Sequence, residues 1–97
     1  MRVISKKALR DCWLKHPETE QPLKAWYREI CLARWSTPNQ LKADFPNASI
    51  LQEGRVVFNI KGNQYRIIVK INFSFHLIWI RFVGTHIQYD KIDAQKI

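Results

Sequence analysis

The sequence predicts a single small α+β domain, residues 1–97, in which helices from the first half of the chain pack on one face of a mainly antiparallel sheet from the second half. Three observations support this fold class. Up to Ile30, apolar residues recur at the spacing of three and four residues that is typical of amphipathic helices. From Arg55 onward, apolar and polar residues alternate, as they do in strands. A length of 97 residues with 46% hydrophobic content is enough for one core.

Two helices are predicted after a short apolar segment at Arg2 to Ile4. Ser5 is the candidate N-cap of the first helix, because a serine hydroxyl can accept a hydrogen bond from a free N–H group of the first turn. Pro22 lies in the first turn of the second helix, where proline is tolerated. The apolar faces consist of Leu9, Cys12, Trp13 and His16 in the first helix, and of Leu23, Trp26, Tyr27 and Ile30 in the second. The run Thr37-Pro38-Asn39-Gln40 predicts a brief further helical turn.

Two β-hairpins are predicted in the second half of the chain. In the first, Gly62-Asn63 forms a two-residue turn with positive φ angles between strands at residues 55–61 and 64–71. The resulting register pairs Lys61 with Gln64, Asn59 with Arg66, and Phe58 with Ile67. The second hairpin turns at Ser74-Phe75 into a strand at residues 77–83. Its register pairs Lys70 with Trp79 and Ile68 with Arg81.

This register divides the strand residues between two faces, because successive side chains of a strand point to opposite sides. The face that packs on the helices is expected to contain Val56, Phe58, Ile60, Tyr65, Ile67, Val69, Ile78, Ile80 and Phe82. The opposite face is expected to carry Asn59, Lys61, Arg66, Ile68, Lys70, Trp79 and Arg81. Four cations and a tryptophan on one face can bind a phosphate backbone and a stacked base, so the candidate RNA-binding residues are Asn59, Lys61, Lys70 and Trp79. Lys61 and Lys70 also fit an ordinary solvated face.

The composition excludes several classes of protein. A formal charge of +8 and a pI near 9.9 favour a polyanionic partner, either a nucleic acid or an acidic protein. Cys12 and Cys31 form no C-x-x-C pair, so neither a disulfide framework nor a zinc site is indicated. The amino terminus lacks the apolar region of a signal peptide, and no apolar run approaches the ~18 residues of a membrane span. We therefore expect a soluble, cytoplasmic protein with no cofactor and no contact with a membrane.

The distribution of charge along the predicted sheet indicates a type of phosphate chemistry. No Asp or Glu occurs between Glu53 and Asp90, whereas Arg66 and Arg81 both lie in this stretch. The acidic ligands of a metal-dependent nuclease are therefore absent from the sheet. A metal-independent RNase needs a base for the ribose 2′-OH, fixed cations for the phosphate, and an acid for the leaving 5′-oxygen. Arg66 and Arg81 are candidates for the second task, because a guanidinium group binds phosphate in bidentate fashion.

Candidates for the proton transfers follow the last predicted strand. His86 is the first candidate for the base, because an imidazole can accept a proton near neutral pH. Tyr89, three residues further on, is a candidate acid or phosphate ligand. Alternatively, His86 is a loop or capping residue and Tyr89 anchors a final helical turn in the core.

Two segments of the sequence carry a family resemblance. They are VFNIKGNQYR at residues 57–66 and IRFVGTHIQYDKID at residues 80–93. With the amino-terminal strand, the KKAL helix start, Trp35 and the LKADFP segment at residues 41–46, they make the chain resemble the HigB-type toxins of the RelE/ParE superfamily over nearly its whole length. The resemblance implies a RelE-like β-α-α-β-β-β fold with a short C-terminal helix, which agrees with the predicted elements.

The resemblance also implies a function and partners. It implies the toxin of a bacterial type II toxin-antitoxin pair, an mRNA interferase that cuts messages at the ribosome. The implied partner is a HigA-type antitoxin with a helix-turn-helix domain. The residues that match the family segments are Asn59, Asn63, Tyr65 and Arg66 in the first, and Arg81, Thr85, His86, Tyr89 and Asp90 in the second. Gln88 departs from the pattern, because many relatives have an acidic residue before the tyrosine.

Two other functions remain compatible with the sequence. ParE-like members of the superfamily inhibit DNA gyrase on the same fold, without cleaving RNA. A basic sheet face is also compatible with a plain RNA-binding module. Cut messages, gyrase-linked DNA breaks, or salt-dependent RNA binding without cleavage would distinguish the three functions.

Overall fold

The computed structural model describes residues 1–97 and contains a five-stranded sheet with the two longest helices on one face. In chain order the elements are β1 (Arg2–Ile4), α1 (Lys7–Lys15), α2 (Glu20–Leu32), α3 (Pro38–Asp44), β2 (Ser49–Ile50), β3 (Arg55–Ile60), β4 (Tyr65–Asn72), β5 (Leu77–Thr85) and α4 (His86–Asp90). The strand order is β1-β5-β4-β3-β2, with β1 parallel to β5 and all other pairs antiparallel. The predicted α+β class is confirmed; the short strand β2 was not predicted. No helix has both the length and the apolar character needed to cross a membrane.

The first helix begins later than predicted. Its N-cap residue is Lys6, which makes no side-chain capping hydrogen bond. Ser5 has a φ angle of 73° and therefore lies in the left-handed region, whereas a residue that caps with its side chain adopts an extended conformation. Its backbone carbonyl accepts a hydrogen bond from the amide of Ala8 at 3.1 Å. The prediction that the Ser5 hydroxyl caps α1 is wrong.

The other helices follow the sequence pattern closely. Pro22 lies in the first turn of α2, as predicted. The short helix α3 begins after Thr37, whose hydroxyl accepts a hydrogen bond from the amide of Gln40 at 3.3 Å. This capping bond fixes the start of α3, which is longer than the predicted turn and extends to Asp44.

The core lies between the helices and one face of the sheet. Its helical part includes Leu9 and Cys12 of α1 and three residues of α2, which are Leu23, Trp26 and Ile30. Its sheet part includes eight of the nine predicted residues: Val56, Phe58, Ile60, Tyr65, Ile67, Val69, Ile78 and Ile80. The alternation in the sequence therefore identified the core face of β3 and β4 correctly.

The first hairpin has the predicted register but a different turn. Asn59 pairs with Arg66 and Phe58 with Ile67, as predicted. Pairing ends at Ile60 and Tyr65, so the loop contains four residues instead of two. The left-handed residues are Lys61 (φ 54°) and Gly62 (φ 66°), whereas the sequence predicted Gly62 and Asn63.

The second hairpin contains a β-bulge that the sequence did not predict. Lys70 pairs with Trp79, as predicted, but Ile68 pairs with Phe82 and not with Arg81. Arg81 is the extra residue of the bulge, at the register shift between Ile68 and Val69. Phe82 therefore shares a face with Ile68, and the prediction that it belongs to the core face is wrong.

The sheet face opposite α1 and α2, here called the outer face, is partly covered. Ile68 is fully buried and Val57 almost so, although neither belongs to the main core. Helix α4 contacts β4 and β5, and the Nε atom of Arg55 donates a hydrogen bond to the carbonyl of Ile97 at 3.1 Å. The C-terminal segment therefore lies against this face, which is not the open platform that the sequence predicted.

Candidate active site

The candidate site lies where β4 begins and β5 ends. Arg66, the second residue of β4, pairs with Asn59 of β3 on one side and with Gly84 of β5 on the other. Helix α4 begins at His86, directly after β5. One end of the outer face therefore brings Asn59 and Arg66 beside the helix that carries His86 and Tyr89.

Arg66 is held in place by contacts on two sides. Its Nη1 group donates a hydrogen bond to the carbonyl of Asn63 and a long one, of 3.5 Å, to the carbonyl of Tyr65. Its guanidinium carbon lies 5.5 Å from the centre of the Tyr89 ring, within cation-π range. The Nε and Nη2 groups make no hydrogen bond within the chain. Arg66 thus has a restrained orientation and free N–H donors for an anion such as phosphate.

Helix α4 is fixed to the end of β5 by a capping box. The amide of Gln88 donates to the hydroxyl of Thr85 at 3.1 Å, and the amide of Thr85 donates to Oε1 of Gln88 at 3.0 Å. The backbone amide of His86 also donates to the carbonyl of Gln64 in the hairpin loop, at 2.9 Å. Because Glu and Gln serve equally at the third helical position of a capping box, an acidic residue in place of Gln88 would make the same bond.

Gly84 is needed because the capping box approaches the strand closely. A Cβ atom on Gly84 would lie 2.5 Å from Oε1 of Gln88 and 2.7 Å from Cζ of Phe82. A side chain at this position would therefore displace both groups. From the sequence, Gln88 was only a departure from the family pattern and Gly84 had no predicted role; the Thr-x-x-Gln pattern at residues 85–88 is the signal from which the capping role of Gln88 was predictable.

The two predicted proton-transfer residues differ in exposure. His86 is exposed, and its imidazole makes no hydrogen bond within the chain. Tyr89 is half-buried beside Arg66. They lie three residues apart on α4 and so on the same side of one helical turn. Asp90, at the end of α4, is exposed and forms no ion pair.

The remaining predicted cations lie further along the sheet. Lys70 and Trp79 form a cross-strand pair and are both half-buried. Arg81, in the bulge, is exposed and lies three residues from Gly84, which is roughly 10 Å along the strand. Lys61 is exposed in the hairpin loop. Arg81 is therefore not a direct neighbour of Arg66 in the strand pairing.

Tyr65 and Asn59 have structural contacts of their own. Tyr65 points to the core side, where its hydroxyl donates to Oε2 of Glu18 at 2.8 Å and the ring of His16 packs edge-on at 5.4 Å. Burial, followed by this hydrogen bond, raises the pKa of Tyr65. The backbone hydrogen bond at Glu18 and the bond from Tyr65 lower the pKa of Glu18. Asn59 donates from Nδ2 to the carbonyl of Asn47 at 3.2 Å, which ties β3 to the preceding loop.

The regions that match known proteins include every residue of the candidate site. A family model for HigB toxins, described as the RelE-like toxic component of a toxin-antitoxin system, matches residues 19–92. The mRNA interferase toxin HigB of Escherichia coli strain K12 is 34% identical over 96 residues, which is 97% of this chain and 92% of the relative. The mRNA interferase HigB of Shigella flexneri has the same identity and coverage. The mRNA interferase HigB of Escherichia coli O6:H1 is 31% identical over 94 residues, which is 95% of this chain and 91% of the relative.

Proposed function

The chain belongs to the HigB family of RelE-like toxins, and we propose that it is an mRNA interferase, an endoribonuclease that inhibits translation by cutting messages. As a member of this family it is the toxin of a toxin-antitoxin system, so it has an antitoxin as partner and mRNA as substrate. The observation that carries the proposal at the level of residues is the contact between Arg66 and Tyr89 beside an exposed His86. This arrangement combines a phosphate-binding cation with two groups able to move protons.

The proposed reaction needs no metal ion. The ribose 2′-oxygen attacks the adjacent phosphorus, a bond forms from this oxygen to phosphorus, and the bond to the 5′-oxygen breaks. The products are a 2′,3′-cyclic phosphate and a 5′-hydroxyl end. The carboxylate-free stretch from residue 54 to residue 89 supports this chemistry, because the strands of the site supply none of the acidic ligands that a pair of catalytic metal ions requires.

Arg66 is proposed to stabilise the charge that develops on the phosphate. Its free Nε and Nη2 groups can donate to two phosphate oxygens, and its contact with Tyr89 limits the reorganisation needed in the transition state. Removal of one such donor from an active site commonly lowers the rate about 10²- to 10³-fold. Arg81 is proposed as a second phosphate-binding cation, which requires its flexible side chain to reach toward Arg66 along the outer face.

His86 and Tyr89 are proposed to transfer the protons. A neutral His86 imidazole would accept the proton of the 2′-OH, since its ring has no hydrogen-bond partner within the chain that competes for the substrate. Tyr89 would protonate the leaving 5′-oxygen or donate a hydrogen bond to the phosphate. Together such transfers contribute about 10²- to 10⁴-fold to a rate.

The message is proposed to follow the outer face away from Arg66. Trp79 offers a ring on which a base can stack, Lys70 beside it offers a cation for the backbone, and Lys61 extends the charge into the hairpin loop. Asn59 is proposed to contact the RNA through the part of its amide that is not bonded to Asn47.

The biological setting is likewise a proposal. We propose that residues 1–97 act as one toxin domain in the cytoplasm, that cleavage depends on translating ribosomes, and that the antitoxin is of the HigA type with a helix-turn-helix domain. The small size of the chain and its formal charge of +8 support action on a large RNA-rich target such as the ribosome.

The test is to incubate the purified chain with a defined mRNA, with and without translating ribosomes, and with EDTA in the ribosome-free samples. Cuts confined to translated samples and ending in cyclic phosphate are expected for wild type. Arg66→Ala should lose at least about 10²-fold in cleavage, whereas Arg34→Ala, which removes an exposed arginine away from the site, should cut at the wild-type rate. Intact messages together with gyrase-linked DNA breaks would instead identify a ParE-like inhibitor.

A further inference from the structure

A groove between α1 and α2 forms a cavity that is separate from the candidate active site. It has a volume of about 730 Å³, within the range of binding sites for small ligands or several side chains. Its residues come from α1, its N-cap and α2, the helices on the core side of the sheet. The proposed cleavage chemistry uses none of them. We call this cavity the helix groove.

The floor of the helix groove is apolar. It contains Leu9, the half-buried rings of Trp13 and Tyr27, and Leu32 near the end of α2. Leu32 is 77% exposed, an unusual exposure for a leucine beside a hydrophobic pocket. Apolar surface of this kind, bordered by charged residues, is typical of sites that bind a partner.

The border of the helix groove is positively charged. Five of its residues are cations, which are Lys6, Lys7, Arg10, Lys24 and Arg28, and none is a carboxylate. Only Lys24 forms an ion pair, with Glu20 at 2.6 Å, so the other four have no carboxylate partner within the chain. This border therefore complements a ligand with carboxylates on both sides of an apolar strip.

The aromatic rings of the groove favour a protein ligand over a nucleic acid. The Nζ atom of Lys24 lies 5.2 Å from the centre of the Trp13 ring, and that of Lys6 lies 5.5 Å from the centre of the Tyr27 ring. RNA-binding surfaces use open aromatic faces on which bases stack. Here an ammonium group already occupies a face of each ring, and the rest of the floor is aliphatic.

We propose that the helix groove binds an amphipathic helix of the antitoxin, with apolar side chains on the groove floor and acidic side chains against the cationic border. In helix-in-groove binding, an amphipathic helix lays its apolar face into a hydrophobic groove; the cationic border adds charge complementarity for acidic side chains of the same helix. The proposal depends on the antitoxin partner that membership of the toxin family implies, and it is independent of the cleavage mechanism. Because the chain carries a formal charge of +8, an acidic segment of the partner is electrostatically complementary to it.

The test uses the full chain and its cognate antitoxin, expressed together, separated in denaturant and refolded. Affinity is measured by titration calorimetry at two salt concentrations. Arg10→Glu with Arg28→Glu reverses two charges of the border, and Lys15→Glu with Arg34→Glu makes the same change of net charge outside the groove. We expect the first variant to bind the antitoxin about 10- to 100-fold more weakly than the second.

A substitution that leaves the charge unchanged tests whether the antitoxin contacts the groove directly or is only attracted by the net charge of the chain. Leu32→Gln removes an apolar contact of the floor, whereas Leu14→Gln removes a similarly exposed leucine, at 69% exposure, from outside the groove. Only Leu32→Gln should weaken binding, by about tenfold. Circular dichroism and thermal melting confirm that each variant is folded.

Three results would overturn the proposal. The first is equal binding of the antitoxin by the groove variants and the control variants. The second is an equal loss of affinity in both charge variants, which would mean attraction by net charge alone. The third is a groove variant that keeps the antitoxin but loses the ability to arrest translation, which would assign the groove to RNA or the ribosome. A wild-type chain that fails to cut mRNA would refute the proposed function and leave the binding comparison intact.

Discussion

Replacing Gly84 with alanine tests whether the packing of α4 on the sheet builds the active site. The added Cβ would lie 2.5 Å from Oε1 of Gln88 and 2.7 Å from Cζ of Phe82, so both groups must move. Loss of the bond from Thr85 to Gln88 costs about 1 kcal/mol. Displacing the ring adds the roughly 1 to 3 kcal/mol of an overpacked site. We therefore expect the free energy of unfolding to fall by about 2 to 4 kcal/mol.

Two measurements check this expectation. A loss of that size in a domain of this length lowers the melting temperature by about 10 to 20 °C. Cleavage, measured below the transition, should fall by at least about tenfold, because a shift of about 1 Å in positioned groups can cost 10²-fold in rate. Tyr89 lies one residue after Gln88 and would move with it.

Thr85→Ala is the matched control. It removes the hydroxyl that caps α4 without adding an atom beside the strand, so only about 1 kcal/mol should be lost. A Gly84→Ala variant that is no less stable than Thr85→Ala would refute the close packing. A Gly84→Ala variant that melts and cuts mRNA as wild type does would refute the dependence of the site on α4.

Three further predictions concern the same end of the molecule. Tyr89→Phe keeps the ring beside Arg66, so it should be as stable as wild type but cleave mRNA more slowly, because the hydroxyl is lost. Tyr89→Ala should lose both stability and cleavage rate, because the ring is lost as well. Thermal melting measures the first effect and single-turnover cleavage the second. Gln88→Glu should melt and cut as wild type does, because either side chain completes the capping box. The lowered pKa of Glu18 means that its contribution to stability is present above its ordinary pKa of 4.5 and is lost as the pH falls through the folded-state value. Tyr65→Phe should therefore destabilise the protein at neutral pH and lose this difference in acid, as urea unfolding at each pH will show.

The sequence predicted those parts of the fold that depend on local pattern. Alternation identified the core face of β3 and β4, because each side chain there follows a strict period of two. The pairing of Asn59 with Arg66 was predicted although the loop was predicted with two residues instead of four, because both loops have the same centre and so give the same register. Ser5 was assigned as a cap from its residue type, which carries no information about its φ angle.

The sequence predicted which residues form the candidate site, but it did not predict how they are arranged relative to one another. Arg66 and Tyr89 were selected for their chemistry, and both lie at the site; their catalytic roles remain predictions. Their contact depends on the return of α4 across the end of the sheet, which no local pattern encodes. The covering of Ile68 was missed for the same reason, because it depends on tertiary packing of the outer face.

The β-bulge at Arg81 determines which residue lies beside Arg66. With regular pairing continued from Lys70 and Trp79, Arg66 would face Val83; with the bulge it faces Gly84. A Cβ atom at position 84 would occupy the space that Gln88 takes when it caps α4. By absorbing Arg81, the bulge therefore keeps Gly84, which has no side chain, opposite Arg66.

Removing residue 81 by deletion tests this argument. Ile80 would then be joined directly to Phe82, and regular pairing would keep Phe82 opposite Ile68 and Gly84 opposite Arg66, so we expect the cap of α4 to be kept. Arg81→Ala keeps the bulge and removes only the cation, and should change stability by no more than about 0.5 kcal/mol. Hydrogen exchange of the Thr85 amide, which donates to Gln88, reports directly on the cap. If the deletion variant loses the protection of this amide while Arg81→Ala keeps it, the bulge does more than absorb the extra residue, and the argument from register is wrong.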